Sequence, residues 1–225
     1  GDLRNVSPKW NTIDRNLAWN NGHPIVTGIN KAGPDLGEPF YVENFDSSEP
    51  DKTPKGWGFN HKPNAEVQLV ATAEGALRCD CALGTDPKNV KSVFHSPDLP
   101  FRPGTSLRVR LRIRSSEANA QVSLAFAAYA AAFGYWQTSA TNLKVTNEWQ
   151  EVEAVGRLPR ENEAQWQQWM KAFWLRVDCP QQQGHVLIDD IRLTETEPLD
   201  EWASWQAEGW DQNSLVADPV FVDWK

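Results

Sequence analysis

Eight residues in the middle of the chain, 107–114, read Leu-Arg-Val-Arg-Leu-Arg-Ile-Arg, so that an apolar side chain alternates with arginine at every step. A period of two is that of a β-strand, in which successive side chains point to opposite faces of the sheet. A helix would spread the same apolar residues around its circumference. The run therefore predicts a strand with one face in a hydrophobic core, and Pro103-Gly104 just before it predicts a turn.

Shorter runs of the same kind lie on both sides of this strand. Many short strands separated by turn signals, with almost no helix, indicate an all-β fold made of two antiparallel sheets packed as a sandwich. Helical spacing of apolar residues predicts two short helices, at 161–170 and at 200–208. The further predicted strands cover residues 67–71, 76–81, 122–126, 149–155, 173–178 and 186–193.

Composition narrows the class of protein. The 225 residues carry a net charge of −8, whereas a nucleic-acid-binding protein would usually show a basic face. No apolar run approaches the ~20 residues that a membrane-spanning helix needs. The chain begins at Gly1 without a Met or a signal segment, so we expect it to be part of a longer protein. We expect a monomer with neither a nucleic acid nor a membrane as partner.

Tryptophan is unusually frequent, with 12 residues against 3 tyrosines. The flat, electron-rich face of an indole complements the axial C–H groups of a sugar ring, so this number favours an exposed aromatic platform. The alternative is that the tryptophans lie in the core or hold the terminal segments against it.

The chain has an odd number of cysteines. Cys79 and Cys81 lie two residues apart in a strand-like run, so they face the same side and cannot easily bond each other. One of them can pair with Cys179 in an oxidising compartment, which leaves the other as a buried apolar residue.

A series of landmarks in the middle zone resembles the jelly-roll carbohydrate-binding modules grouped as families 4, 9, 16 and 22. The series opens with Asn44-Phe45-Asp46 and a Pro-x-Gly-Trp element at 54–57, continues through the turn and strand at 103–114 and through Glu148-Trp149, and closes with the strand at 188–193. The resemblance implies a jelly-roll β-sandwich over residues 40–196 that binds a polysaccharide or oligosaccharide without catalysis.

The resemblance also implies where a ligand and an ion would bind. Such modules hold sugar in a cleft on the concave sheet, between aromatic rings and polar side chains. Alignment by eye carries the aromatic and polar positions over to Phe94, His95, Tyr135, Trp136, Trp174 and Arg176. Trp136 is the leading candidate for stacking, and the alternative for it is a ring that caps the sandwich edge. A structural Ca²⁺, which prefers hard oxygen ligands, is expected at Asp46 with Asp189 or Asp190.

The two flanks, 1–39 and 197–225, resemble something else. The segments at 11–22, 205–211 and 214–223 look like coils of secreted right-handed parallel β-helix enzymes that act on polysaccharides. This resemblance implies a secreted or cell-surface protein in which the sandwich keeps a linked catalytic domain close to plant or algal polysaccharide. The alternative is a structural or interaction domain without its own sugar site.

Two further patterns leave alternatives open. The arginines of 107–114 form a ladder on one sheet face, which either binds an anionic polysaccharide or pairs with acids on neighbouring strands. The chain contains no Gly-x-Ser-x-Gly, His-Glu-x-x-His or P-loop motif, so we expect no catalysis by this chain. A jelly-roll polysaccharide lyase is the less favoured alternative, because Tyr129, Tyr135, His95 and Arg176 imitate its constellation.

Overall fold

The computed structural model describes residues 33–82, 91–130, 134–138, 140–180 and 182–197, together with one pair of short strands in the flanks. The chain divides into two compact units, one made of residues 1–31 and 199–225 and the other of residues 32–198. In the first unit, β1 (Leu17–Ala18) pairs in parallel with β15 (Leu215–Val216). The helix predicted at 200–208 lies outside the described residues.

The second unit is the predicted β-sandwich of two antiparallel sheets. One sheet has seven strands, which are β3 (Gly58–His61), β6 (Val93–His95), β7 (Leu99–Pro100), β9 (Ala120–Ala130), β10 (Gly134–Gln137), β11 (Thr141–Val145) and β13 (Ala172–Asp178). The other has six strands, which are β2 (Tyr41–Glu43), β4 (Leu69–Ala71), β5 (Leu77–Cys81), β8 (Ser106–Ser115), β12 (Gln150–Arg157) and β14 (Gly184–Thr196). The seven-stranded sheet has β9 and β13 at its centre and β3 at one edge, and the six-stranded sheet has β8 and β14 at its centre and β12 and β4 at its edges.

The core lies between the inner faces of the two sheets, and the period-two prediction for β8 is confirmed. Its apolar residues, from Leu107 to Ile113, are buried, while the arginines between them point outward. The inner face of β13 is formed in the same way by Phe173, Leu175 and Val177. Trp57, a landmark of the sequence, is also part of the core, 5.4 Å from the ring of Phe45.

The helix predicted at 161–170 is wrong, and no helix occurs in the part of the chain that the structure describes. Residues 161–170 form separate turns, with amide-to-carbonyl hydrogen bonds from Glu163 to Arg160, from Trp166 to Glu163 and from Met170 to Gln167. A ten-residue segment is too short to form a stable helix by itself, and here only Met170 is buried. Within the same described ranges, no helix is long and apolar enough to cross a membrane.

Candidate functional site

The outer face of the seven-stranded sheet, meaning the side that points away from the core, follows from the alternation of its central strands. In β9 the core takes Leu124 and Phe126, so Ala125, Ala127 and Tyr129 point outward. In β13 Trp174 and Arg176 point outward for the same reason. The register places Trp174 opposite Ala127 and Arg176 opposite Ala125. Both alanines are buried, so neighbouring side chains cover the middle of this face.

Two tyrosines form an exposed aromatic pair on this outer face. Tyr135 of β10 lies directly opposite Tyr129 of β9, and their exposed fractions are 46% and 54%. Tyr135 was predicted as a binding residue, whereas Tyr129 was considered only for the lyase alternative. The alternation of β9 could have identified Tyr129. It lies two and four residues after Ala127 and Ala125, so it points to the same side of the sheet as these outward residues.

A charged network lies beside the tyrosine pair. The Arg176 guanidinium donates through Nε and Nη2 to the two carboxylate oxygens of Asp178, at 2.6 and 3.2 Å, and through Nη1 to the hydroxyl of Tyr135. Its Cζ atom lies 5.6 Å from the centre of the Tyr135 ring. The Lys91 Nζ is 2.7 Å from Asp178 Oδ2. Burial alone would raise the pKa of Asp178, but the two cations outweigh it, so this pKa lies below its ordinary value.

Trp174 and His95 complete the centre of the face. Their ring centroids are 5.3 Å apart, and His95 lies opposite Arg176 in the sheet. Trp174 is only 7% exposed, although it is outside the core cluster, and its buried indole Nε1 has no hydrogen-bond partner among the described residues. The predicted residues Tyr135, Trp174, Arg176 and His95 thus meet on one face, but Trp174 is not an open platform for stacking.

The structure places two predicted site residues on the core side of the sheet. Phe94 belongs to the core and is fully buried, because it alternates with the outward-facing His95. Trp136 packs against the core from the edge strand β10, with its ring 6.2 Å from that of Phe101 in an edge-to-face contact. It is partly buried, and the alternative interpretation of a ring at the sandwich edge fits this position. Its neighbour Tyr135 takes the outward position instead.

The arginine ladder lies on the outer face of the six-stranded sheet and is paired with acids. Arg108 and Arg110 share Asp35, and both also contact Glu153. The Arg110 hydrogen bond is the main reason why the pKa of Asp35 lies below its ordinary value, against the effect of burial. Arg114 binds Glu74 at 2.8 Å. These contacts support the interpretation of the ladder as a paired surface and leave no unmatched row of cations.

The acids predicted to hold calcium lie near an irregularity of β14. The strand register shifts between Asp189 and Arg192, and Asp190 has a left-handed backbone with φ of 47°. Burial and the nearby carboxylates of Asp190 and Asp46 raise the pKa of Asp189. Arg112 Nη1 lies 3.4 Å from Asp190 and 3.7 Å from Asp189. Among the described residues, no group of three or more His, Cys, Asp or Glu side chains is arranged to hold a metal ion.

Comparison with solved structures identifies the class of fold. The CBM1 module of BiXyn10A in its apo form superposes with a TM-score of 0.51 at 12% identity, covering 70% of this chain and 99% of the module. The CBM22-1 xylan-binding domain of Paenibacillus barcinonensis Xyn10C gives 0.50 at 11% identity, covering 75% and 100%. The sandwich therefore has the jelly-roll fold of carbohydrate-binding modules. No protein-family model and no curated protein matches the sequence.

Proposed function

We propose that the sandwich is a non-catalytic carbohydrate-binding module and that its ligand lies along the outer face of the seven-stranded sheet. The observation that carries the proposal is the exposed pair Tyr129 and Tyr135, which stands next to the Arg176 network. Two rings on adjacent strands offer a continuous apolar surface for the C–H face of a sugar. The guanidinium and carboxylate beside them can donate to and accept from its hydroxyl groups. The shared fold with known modules is consistent with this use.

Affinity electrophoresis and calorimetric titration test the proposal. We expect retardation of the intact protein by at least one polysaccharide among xylan, β-glucan, mannan and acidic plant or algal polymers. Tyr129→Ala and Tyr135→Ala should each weaken binding by roughly tenfold, because a buried aromatic contact contributes about 1–2 kcal/mol. Phe40→Ala is the matched control, since Phe40 is 40% exposed and its amide donates to the carbonyl of Leu193 in the six-stranded sheet.

The same titration decides between this proposal and a structural domain. If no polymer retards the protein, the tyrosine face is not a sugar site and the sandwich has only a structural or interaction role. A loss of binding in Phe40→Ala equal to that in the tyrosine variants would place the ligand elsewhere.

A lyase is the second candidate, because the outer face brings Tyr135, Arg176, His95 and Tyr129 together. Against it, burial raises the pKa of Tyr135 and its hydroxyl donates to Gln137, so the phenolate that would act as the base is scarce. Release of unsaturated sugar products from an acidic polymer by the intact chain, lost in Tyr135→Phe, would favour the lyase.

We propose that the module serves a linked polysaccharide-degrading enzyme that is secreted or held at the cell surface. The parallel pairing of β1 with β15 is consistent with flanks that belong to a larger parallel structure. In the full-length protein, deletion of the sandwich should then lower activity on insoluble polysaccharide more than on soluble fragments, because tethering raises the effective substrate concentration.

A structural Ca²⁺ is proposed at Asp46 and Asp189. The support is chemical: hard carboxylate oxygens lie close enough to repel each other, and a cation would relieve that repulsion. Arg112 is the competing cation. Differential scanning calorimetry with Ca²⁺ and with a chelator tests the site. We expect a higher melting temperature with Ca²⁺ that disappears in Asp46→Asn and persists in the surface control Glu161→Gln.

A further inference from the structure

We propose that the ligand of the tyrosine face is an anionic saccharide, and that Arg176 and Lys91 bind its carboxylate or sulfate group. This inference rests on the proposed function, since it names the class of sugar that the same site takes. Three observations support it: the charge balance of the outer face, the unused donors of the two cations, and the contrast with the paired arginine ladder.

The strand positions on this outer face carry more cations than carboxylates, in a chain that is negative overall. Its described strand residues and Lys91 include three cations, Lys91, Lys144 and Arg176, but one carboxylate, Asp178. The whole chain carries a net charge of −8. A local surplus of positive charge on a negatively charged protein attracts anionic ligands to this face.

The donors at the centre of this face exceed the acceptors that the protein supplies. Arg176 has five N–H groups, of which two contact Asp178 and one contacts Tyr135. Lys91 has three, of which one points to Asp178. The Asp178 oxygens already receive bonds from both cations, so the remaining N–H groups can donate to a second oxyanion. The Lys91 side chain is 34% exposed, which leaves it accessible to such a group.

The arginine ladder of the opposite sheet has a different balance of cations and acids. Arg110 lies between Asp35 and Glu153, and Arg112 lies near both Asp189 and Asp190. There four arginines contact five acids, which are Asp35, Glu74, Glu153, Asp189 and Asp190. Around Asp178 the proportion is reversed, with two cations on one carboxylate. An anionic ligand would therefore gain more on the tyrosine face than on the ladder.

Matched pairs of polymers test the charge requirement. The intact protein is titrated with a polyuronate and its carboxyl-reduced counterpart, and with a sulfated galactan and its desulfated counterpart. We expect binding to at least one anionic polymer, about tenfold or more tighter than to its neutral partner, since charge-assisted bonds are roughly twice as strong as neutral ones. The pair of polymers in which the anionic member binds more tightly shows whether the site recognises a carboxylate or a sulfate group. Raising the salt concentration should weaken this binding.

Two variants and one control locate the charge. Lys91→Gln should weaken binding of the anionic polymer by about threefold to tenfold and should weaken binding of its neutral partner less. Arg176→Gln should weaken it further, and an unchanged melting temperature of Lys91→Gln separates binding from folding. Arg102→Gln is the control, because Arg102 is a surface arginine with 68% of its side chain exposed.

Each outcome has a distinct meaning. Equal binding of neutral and anionic polymers, lost in Tyr129→Ala but not in Lys91→Gln, would overturn this inference and leave the proposed function intact. Absence of binding to every polymer would overturn both.

Discussion

The three cysteines offer a quantitative test of how the two sheets are joined. Cys79 lies on β5 of the six-stranded sheet, and Cys179 directly follows β13 of the seven-stranded sheet. Their sulfur atoms are 3.5 Å apart, and both residues are buried free thiols. We predict that oxidation by glutathione disulfide forms a Cys79–Cys179 bond, with release of two molecules of reduced glutathione. The bond would link the two sheets through the core.

The accessible state for this reaction is the unfolded or refolding chain. The hydrogen bond with Cys79 and burial raise the pKa of Cys179, so its thiolate is scarce in the folded protein. Oxidation of folded protein should therefore be slow, whereas oxidation during refolding should be efficient.

The expected stabilisation follows from the length of the closed loop. The two cysteines are 100 residues apart in sequence. A loop of about 100 residues corresponds to ~4–5 kcal/mol of lost chain entropy in the unfolded state, before any strain in the native state is subtracted. For a protein of this size, about 4 kcal/mol raises the melting temperature by roughly 8–16 °C.

The assay combines thiol counting with unfolding. Protein refolded with oxidised glutathione should contain one alkylatable thiol under denaturing conditions, against three in reduced protein. The Cys81→Ala variant should keep the gain in melting temperature, whereas Cys79→Ala should lose it. The reasoning fails if Cys79→Ala gains as much as the wild type, because Cys81 would then be the partner. It also fails if a complete disulfide leaves the melting temperature unchanged.

Three further predictions concern stability. Asp178→Asn should lower the free energy of unfolding at pH 7 by about 1–3 kcal/mol, because Arg176 and Lys91 lose their shared partner. The native pKa of Asp178 is depressed, so the difference in unfolding free energy between variant and wild type should be present above about pH 4. It should vanish as the pH falls through that native pKa, which urea unfolding at several pH values would test. Trp149→Ala should cost about 1–2 kcal/mol in the same assay, because two arginine side chains stack on the Trp149 ring at 4.8 and 4.9 Å; an unchanged midpoint would show that the stacking contributes nothing. Residues 32–198 expressed alone should unfold at the same temperature as the sandwich transition of the full chain, and a shift of more than a few degrees in calorimetry would argue against an autonomous unit.

The fold was accessible from the sequence because strand period and turn residues are local properties. The inner and outer faces of β8 and β13 follow directly from alternation, which puts Trp174 and Arg176 on a common face. The helix predicted at 161–170 failed because spacing alone does not say whether a partner surface exists for it. Met170 is the only residue of that segment that is buried.

The site was less accessible, because a shift of one residue exchanges the two faces of a strand. Alignment by eye favoured Trp136, and the observed register turns Tyr135 outward and Trp136 toward the core. The same parity separates Phe94 from His95. Alternation also does not predict how exposed an outward side chain is. Trp174 points outward but is buried, whereas Tyr129 points outward and is exposed.

The arginines show most clearly that a conspicuous sequence pattern does not by itself identify a binding site. The ladder is the most regular cationic pattern in the chain, yet Arg108 finds Asp35 at a separation of 73 residues, which no local pattern reveals. Arg176 has its carboxylate only two residues away, so it looks neutralised in the sequence. The structure then adds Lys91 to the same carboxylate and leaves that centre with more donors than acceptors. The proposed anion site is this excess of N–H donors over carboxylate acceptors. Its position depends on ion pairs between residues far apart in the sequence, which only the fold establishes.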